Sequence, residues 1–107
     1  MAKLDNASVV KEFLNGREAD SHTGALWSTG DRLFSYGTII AQWHDNTLLV
    51  NTWGYSATTR GKHQSQLKRH LNRFNVRYVN DVNYNERYLD NTLSVTLDQV
   101  SDKYWQR

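Results

Sequence analysis

The stretch YSATTRGKHQSQLKRHL, residues 55–71, contains four Lys or Arg residues and two His, and it has no Asp or Glu. Thr58 or Thr59 is a suitable N-cap, so the pattern predicts an amphipathic helix that runs to about Phe74. The core-facing stripe, at the spacing i, i+4 and i+7, is predicted to consist of Leu67, Leu71 and Phe74. The cations are expected on a different, solvent-facing side of this helix.

A cationic helix face with hydroxyl and amide side chains is suited to binding phosphate groups. We therefore predict that this helix contacts nucleic acid, DNA or RNA, or an acidic protein partner. The predicted contact residues are Tyr55, Thr58, Thr59, Arg60, Lys62, Gln64, Lys68, Arg69 and Arg73. The alternative interpretation is that the charged face is merely solvated, as on many surface helices.

Charge is segregated along the chain. Residues 46–80 contain no Asp or Glu but hold six of the 13 Lys and Arg residues. The rest of the chain has a net charge of −4, although the whole protein has +2. Such segregation favours a surface that faces a polyanion, provided that folding brings the cations together.

The remaining chain predicts one further clear helix and four strands. A helix over 7–14 is predicted from apolar residues at helical spacing, with Asn6 as its N-cap, and Gly16 ends it. Residues 15–24 are predicted to form a loop. The predicted strands cover residues 25–29, 32–43, 47–56 and 75–82. Gly37 lies in the middle of the second strand, where it indicates a β-bulge.

The C-terminal segment allows two interpretations. Leu93, Val95 and Leu97 alternate as in a strand, whereas Thr96 and Gln99 have the spacing of a capping box. We favour a short C-terminal helix. The predicted fold is thus α+β, with a mainly antiparallel sheet of about four strands, an N-terminal helix and the basic amphipathic helix packed on it.

Length and composition predict a single domain spanning residues 1–107. Only 38% of the residues are hydrophobic, but 12% are aromatic, and aromatic side chains bury large areas. The absence of Cys excludes disulfides and thiolate chemistry. No signal peptide or membrane helix is predicted, so we expect a cytoplasmic protein that does not contact membranes.

The four His residues do not form a metal-binding pattern. His63 and His70 are seven residues apart on the predicted helix, which is too far for one metal ion. Neither a metal nor a cofactor is therefore expected. Nucleotide-binding and hydrolase motifs are also missing, so we predict a non-enzymatic protein without catalytic residues. A phosphodiester-cleaving enzyme that uses His63 beside Lys62 is the third hypothesis.

Several aromatic residues are candidates for stacking on bases, although most are expected in the core because Leu and Ile are scarce. These candidates are Tyr36, Trp43, Trp53, Tyr55, Tyr78, Tyr84 and Tyr88. Acidic residues near both ends and the aromatic pair Tyr104 and Trp105 could instead meet another protein. Self-association into a homodimer through a sheet edge is a further expectation.

Two stretches resemble an uncharacterised small domain found in bacteriophage and mobile-element proteins. The matching residues are Tyr36-Gly37-Thr38, Ile40-Ala41, Asn51-Thr52, Tyr55-Ser56, Thr58-Thr59 and His63-Gln64. Trp53-Gly54 and Arg60-Gly61 depart from this pattern. The resemblance implies a phage or mobile-element origin and therefore the host cytoplasm. It favours a binding role, on nucleic acid or as a host-takeover or anti-defence inhibitor of a host protein.

Overall fold

A computed structural model describes residues 3–53, 56–71 and 74–79. In this part of the chain, seven strands form one sheet whose spatial order follows the sequence. The strands are β1 (Lys3–Leu4), β2 (Glu18–Ser21), β3 (Leu26–Thr29), β4 (Arg32–Ser35), β5 (Thr38–His44), β6 (Thr47–Asn51) and β7 (Val76–Val79). The helical elements are α1 (Asn6–Leu14), a π-helical segment (Thr59–Gln64) and α2 (Ser65–Lys68).

The sheet is mixed. Strands β2 to β6 are antiparallel neighbours joined by tight turns. The two edge strands differ, because β1 is parallel to β2 and β7 is parallel to β6. Each parallel pair is connected by a helical crossover, as parallel neighbours require. We call residues 56–71, which include the π-helical segment and α2, the basic crossover.

Both crossovers lie on the same face of the sheet. Four antiparallel steps separate β2 from β6, so β6 runs in the direction of β2. Both crossovers therefore start from strands that run in the same direction, and both lead to the next strand on the same side within the sheet. The right-handed preference of such connections then places both helical segments on one face. Contacts between α1 and α2 agree with this arrangement.

Helix α1 forms where the sequence predicts it, but Asp5 caps it instead of Asn6. The Asp5 carboxylate accepts the Ser8 backbone N–H at 2.8 Å, which satisfies one of the free donors of the first turn. The apolar stripe of α1, Val9, Val10 and Phe13, is fully buried. This stripe packs on β2, β3 and β4.

The core lies between the sheet and the two crossovers. Leu26, Leu33 and Leu48 from the sheet and Leu67 from α2 are fully buried in it. Trp43 extends the core, since its indole N–H donates to the Phe13 carbonyl at 3.0 Å. The predicted core positions Leu67 and Leu71 are confirmed. Phe74 follows the helix and packs edge-on against Trp43, with ring centroids 5.7 Å apart.

The basic crossover is shorter and less regular than predicted. Ser56, not Thr58 or Thr59, caps it, because the Ser56 hydroxyl accepts the Thr59 N–H at 3.1 Å. Its first part is π-helical, and the Ser65 N–H bonds to the Arg60 carbonyl five residues earlier. A π-helix has more residues per turn than an α-helix, so positions i, i+4 and i+5 share one face. Thr59, His63 and Gln64 occupy those positions, and all three are buried.

The long predicted strand over 32–43 is two strands joined by a hairpin turn. Tyr36 has φ 51° and Gly37 has φ 83°, and Ser35 pairs with Thr38 on either side of them. Positive φ at both central residues defines a type I′ turn. The predicted bulge at Gly37 is therefore wrong, and the register shift lies between Leu33 and Phe34. Tyr is an unusual residue in this conformation, because its Cβ clashes with the backbone.

The predicted fold class, a mainly antiparallel sheet of about four strands carrying a basic amphipathic helix, is wrong. The described residues form a seven-stranded mixed sheet with two short helices and a π-helical segment. The sequence pattern does not predict β1 and β2, because both strands are short and contain polar residues. It does not predict the hairpin at Tyr36, because Tyr is rarely found in such turns. The predicted C-terminal helix lies outside the described residues. Within the described ranges, no helix is long and apolar enough to cross a membrane.

Replacing Gly30 tests the tight packing of two turns. Gly30 has φ 94°, and a Cβ there would lie 3.0 Å from the Gly16 carbonyl oxygen. We expect Gly30→Ala to lower the free energy of unfolding by about 1–3 kcal/mol, measured by urea unfolding with Trp fluorescence. The matched control is Gly61→Ala, where a Cβ meets no atom within 4 Å. Its unfolding free energy should stay unchanged or rise by up to about 1 kcal/mol. Equal losses in both variants would contradict this account.

Candidate functional site

Three predicted contact residues, Arg60, Lys62 and Arg69, are exposed on the basic crossover. Among the described residues, none of the three forms an ion pair, and the salt bridge present there joins Arg17 to Glu12. Lys68 is only half-exposed and has a further interaction. The cations of the crossover are thus presented to solvent without acidic neighbours on their own segment.

Two predicted contact residues are buried instead. The Gln64 side chain is 2% exposed, and its amide nitrogen donates to the carbonyls of Asn51 and Trp53, both at 2.9 Å. Thr59 is buried as well and bonds to two neighbouring hydroxyls. These side chains fasten the crossover to the end of β6 and to β4.

The remaining predicted contact residues are placed differently. Thr58 is half-buried beside a surface cavity. Tyr55 and Arg73 lie outside the described residues. Two of the aromatic candidates are exposed: Tyr36, at 61%, and Trp53, at 40%. Trp43 and Tyr78 are half-buried against the core, and Tyr84 and Tyr88 lie outside the described residues.

The contacts of the buried His63 side chain are the main feature that we did not predict from the sequence. Its side chain is only 2% exposed. The Nδ1 atom lies 2.7 Å from the Ser35 hydroxyl at the end of β4. The imidazole ring also contacts the Tyr36 ring, with centroids 5.6 Å apart. His63 therefore connects the basic crossover to the strained hairpin turn.

A chain of hydroxyl groups leads to Nδ1 of His63. The Ser56 hydroxyl donates to Thr59 Oγ1 at 3.1 Å, and Thr59 Oγ1 lies 2.8 Å from Ser35 Oγ. In the order in which each hydroxyl passes its one proton along this chain, Thr59 donates to Ser35, and Ser35 donates to Nδ1 of His63. We therefore assign the proton of the neutral ring to Nε2, the nitrogen that Ser35 does not use.

The surroundings of His63 favour its neutral form. Burial lowers the pKa of His63, and the nearby Lys62 ammonium lowers it further. Both effects disfavour a second positive charge on the ring. The neutral imidazole agrees with the hydroxyl chain, in which Nδ1 accepts a hydrogen bond.

A cavity of about 340 Å³ lies beside His63. It is bounded by the start of α1, the loop after β2, the hairpin turn and the basic crossover. Its lining includes the polar or aromatic residues Asp5, Asn6, His22, Tyr36, Thr58, Lys62 and His63. The Asp5 carboxylate caps α1, and its hydrogen bonds with Ser8 lower its pKa.

The arrangement does not form a metal site. Across residues 3–53, 56–71 and 74–79, no group of three or more His, Asp or Glu side chains could hold a metal ion. The donors at the cavity include the Thr58 hydroxyl, the His63 ring and the Lys62 ammonium, while the Asp5 carboxylate in the lining accepts from the Ser8 N–H. Such groups can bind an anion or the polar edge of a planar ligand.

The burial of His63 had a signal in the sequence. Leu67 and Leu71 are four residues apart, and extending this spacing backwards reaches His63 and Thr59. The stripe of the helix therefore contains two polar residues in its first half. The partner, Ser35, could not be identified in the same way, because it is 28 residues away from His63.

The pH dependence of stability tests the assigned state of His63. The folded-state pKa is below the ordinary value of 6.5, so the unfolded chain binds more protons between the two pKa values. The free energy of unfolding should be constant above this window and fall as pH drops below about 6.5. The slope should not exceed about 1.4 kcal/mol per pH unit.

Urea unfolding between pH 5 and 8 measures this effect, with His63→Asn as the control. The Asn oxygen can still accept from Ser35 but does not titrate. The other titratable side chains of the cavity, Asp5, His22, Tyr36 and Lys62, remain in both proteins. The difference between the two proteins isolates His63, and parallel pH profiles would refute the assignment.

Comparison with known proteins gives a family but no function. Residues 5–91 match the model of a family of unknown function, DUF8033. No curated protein and no solved structure matches the chain. The matched region includes all of α1, β2 to β7 and the basic crossover. The chain therefore belongs to the DUF8033 family of unknown function.

Proposed function

We propose that this protein binds nucleic acid through phosphate contacts of the basic crossover. One observation carries the proposal: Arg60, Lys62 and Arg69 are exposed on a segment without acidic residues, and none forms an ion pair among the described residues. Phosphate binding by such cations releases counterions, which drives association. Residues 46–80 contain no Asp or Glu, and the Asp5 carboxylate, which lines the same cavity as Lys62, accepts a hydrogen bond from the Ser8 N–H.

Exposed aromatic rings support the proposal. Tyr36 contacts His63 of the basic crossover, and the Trp53 carbonyl accepts a hydrogen bond from Gln64 of the same segment. Both residues therefore adjoin the cationic segment, and both are exposed. Cations combined with aromatic platforms are typical of surfaces that bind single-stranded nucleic acid.

A bacteriophage or mobile-element origin belongs to the same proposal. It is motivated by the resemblance of residues 36–41 and 51–64 to a small domain found in such elements. The protein would then act in the host cytoplasm, where nucleic acid is accessible.

Two alternatives use the same residues. A phage-encoded inhibitor would place Arg60, Lys62 and Arg69 in an acidic groove of a host protein. A phosphodiester-cleaving enzyme would need His63 as a general base with a free nitrogen toward the substrate. In the tautomer that we assign, Nε2 carries the proton and would donate to a substrate, not act as a base toward it.

Removing single cations tests the proposed function. We expect Arg60→Gln, Lys62→Gln and Arg69→Gln each to weaken binding of a labelled oligonucleotide, measured by fluorescence anisotropy at several salt concentrations. Each lost phosphate contact should reduce the slope of log K against log salt by about 0.7 for single strands or 0.9 for duplexes.

The matched control is Arg17→Gln, which removes an exposed cation that pairs with Glu12. Its affinity and salt slope should remain those of the original protein. No binding to single-stranded or double-stranded DNA or RNA would refute the proposal. If no nucleic acid binds and a protein partner is retained from nuclease-treated lysate, the inhibitor hypothesis replaces the proposal of nucleic-acid binding.

A further inference from the structure

The cavity beside His63 brings together groups that recognise different parts of one ligand. The Tyr36 ring offers an apolar, planar surface, and Lys62 offers a positive charge. In the tautomer assigned above, Ser35 donates to Nδ1 of His63, and Nε2 offers a hydrogen-bond donor. A ligand that satisfies all three has a flat ring, a hydrogen-bond acceptor and an anionic group.

Tyr36 is held in a conformation that does not suit a Tyr residue. Its φ of 51° precedes Gly37 in a type I′ turn, where Asn-Gly is the preferred pair. Strained residues of this kind cluster at ligand sites. Although the Tyr36 ring contacts His63, it remains 61% exposed. The turn therefore presents an aromatic ring at the cavity at the expense of local stability.

The position of His63 is also set by an unusual element. The π-helical segment turns His63 inward while Lys62, the preceding residue, stays exposed. π-helical turns are rare and occur frequently at functional sites. The buried hydroxyls of Ser35 and Thr59 then fix the orientation of the ring. The donor at Nε2 is thereby preorganised before a ligand arrives.

We propose that this cavity binds one unpaired nucleotide, an inference that rests on the proposed nucleic-acid binding. The base packs against Tyr36, an acceptor atom of the ligand bonds to Nε2–H of His63, and the phosphate lies near Lys62. A cavity of about 340 Å³ is within the lower range of small-molecule sites. A base within a duplex is stacked and paired, so the site selects single strands.

Binding measurements with three probes test this inference. They are a labelled single strand, the corresponding duplex and a free nucleoside monophosphate as competitor. We expect the single strand to bind at least tenfold more tightly than the duplex at equal salt. If the monophosphate competes at millimolar concentration, the cavity binds a free nucleotide. If the single strand binds and the monophosphate does not compete, the cavity binds a nucleotide within a strand.

Two sets of variants locate the site. Tyr36→Asn creates the preferred Asn-Gly turn, so its unfolding free energy should not fall, yet single-strand affinity should drop about tenfold. Duplex affinity should be unchanged. His63→Gln retains an amide donor near the position of Nε2, whereas His63→Asn retains the acceptor for Ser35. The Gln variant should therefore bind single strands more tightly than the Asn variant.

The inference fails separately from the proposed function. If single strand and duplex bind equally, or if Tyr36→Asn folds and binds as the original protein does, the cavity is not a nucleotide site. The cationic surface would still bind nucleic acid in a salt-dependent way. If neither the single strand nor the duplex binds at any salt concentration, the proposed function itself is wrong.

Discussion

Two parallel crossovers of the same hand constrain the whole molecule. The first crossover starts from β1, which is parallel to β2, and the second starts from β6. Because β2 and β6 are four antiparallel steps apart, these starting strands run in the same direction. The right-handed preference then assigns α1 and the basic crossover to one face of the sheet. Their apolar residues meet there with those of β3 to β6 in a single core. The other side of each helical element remains for solvent.

This constraint also produces the candidate site. The basic crossover must cover the end of β4, where Ser35 faces the helical side of the sheet. A helix stripe with polar residues Thr59, His63 and Gln64 would be costly to bury without partners. Ser35 bonds to Thr59 and His63, and the carbonyls of Asn51 and Trp53 accept from the Gln64 amide nitrogen. The buried Oε1 atom of Gln64 has no hydrogen-bond partner among the described residues. The polar half of the stripe thus anchors the segment that presents the cations.

The site combines a rigid interior with an exposed edge. His63 is fixed by a buried hydroxyl chain, whereas Lys62 beside it is free to reach an anion. Tyr36, across the cavity, is positioned by the hairpin turn and not by helix packing. Side chains from two separate elements therefore meet at one cavity. This cavity is the place where our proposal for a member of the DUF8033 family can be tested.

Sequence patterns alone determined the local elements with strong periodicity or clear turns. The helix over 7–14, the core positions Leu67 and Leu71, and the turn after His44 follow from apolar spacing and Asp-Asn chemistry. The hairpin at Tyr36 did not, because tertiary context holds Tyr in a conformation that its own propensity disfavours. Only the tertiary structure decided that His63 is buried against Ser35 and beside Tyr36, since contacts between residues far apart in sequence depend on how the crossovers pack on the sheet.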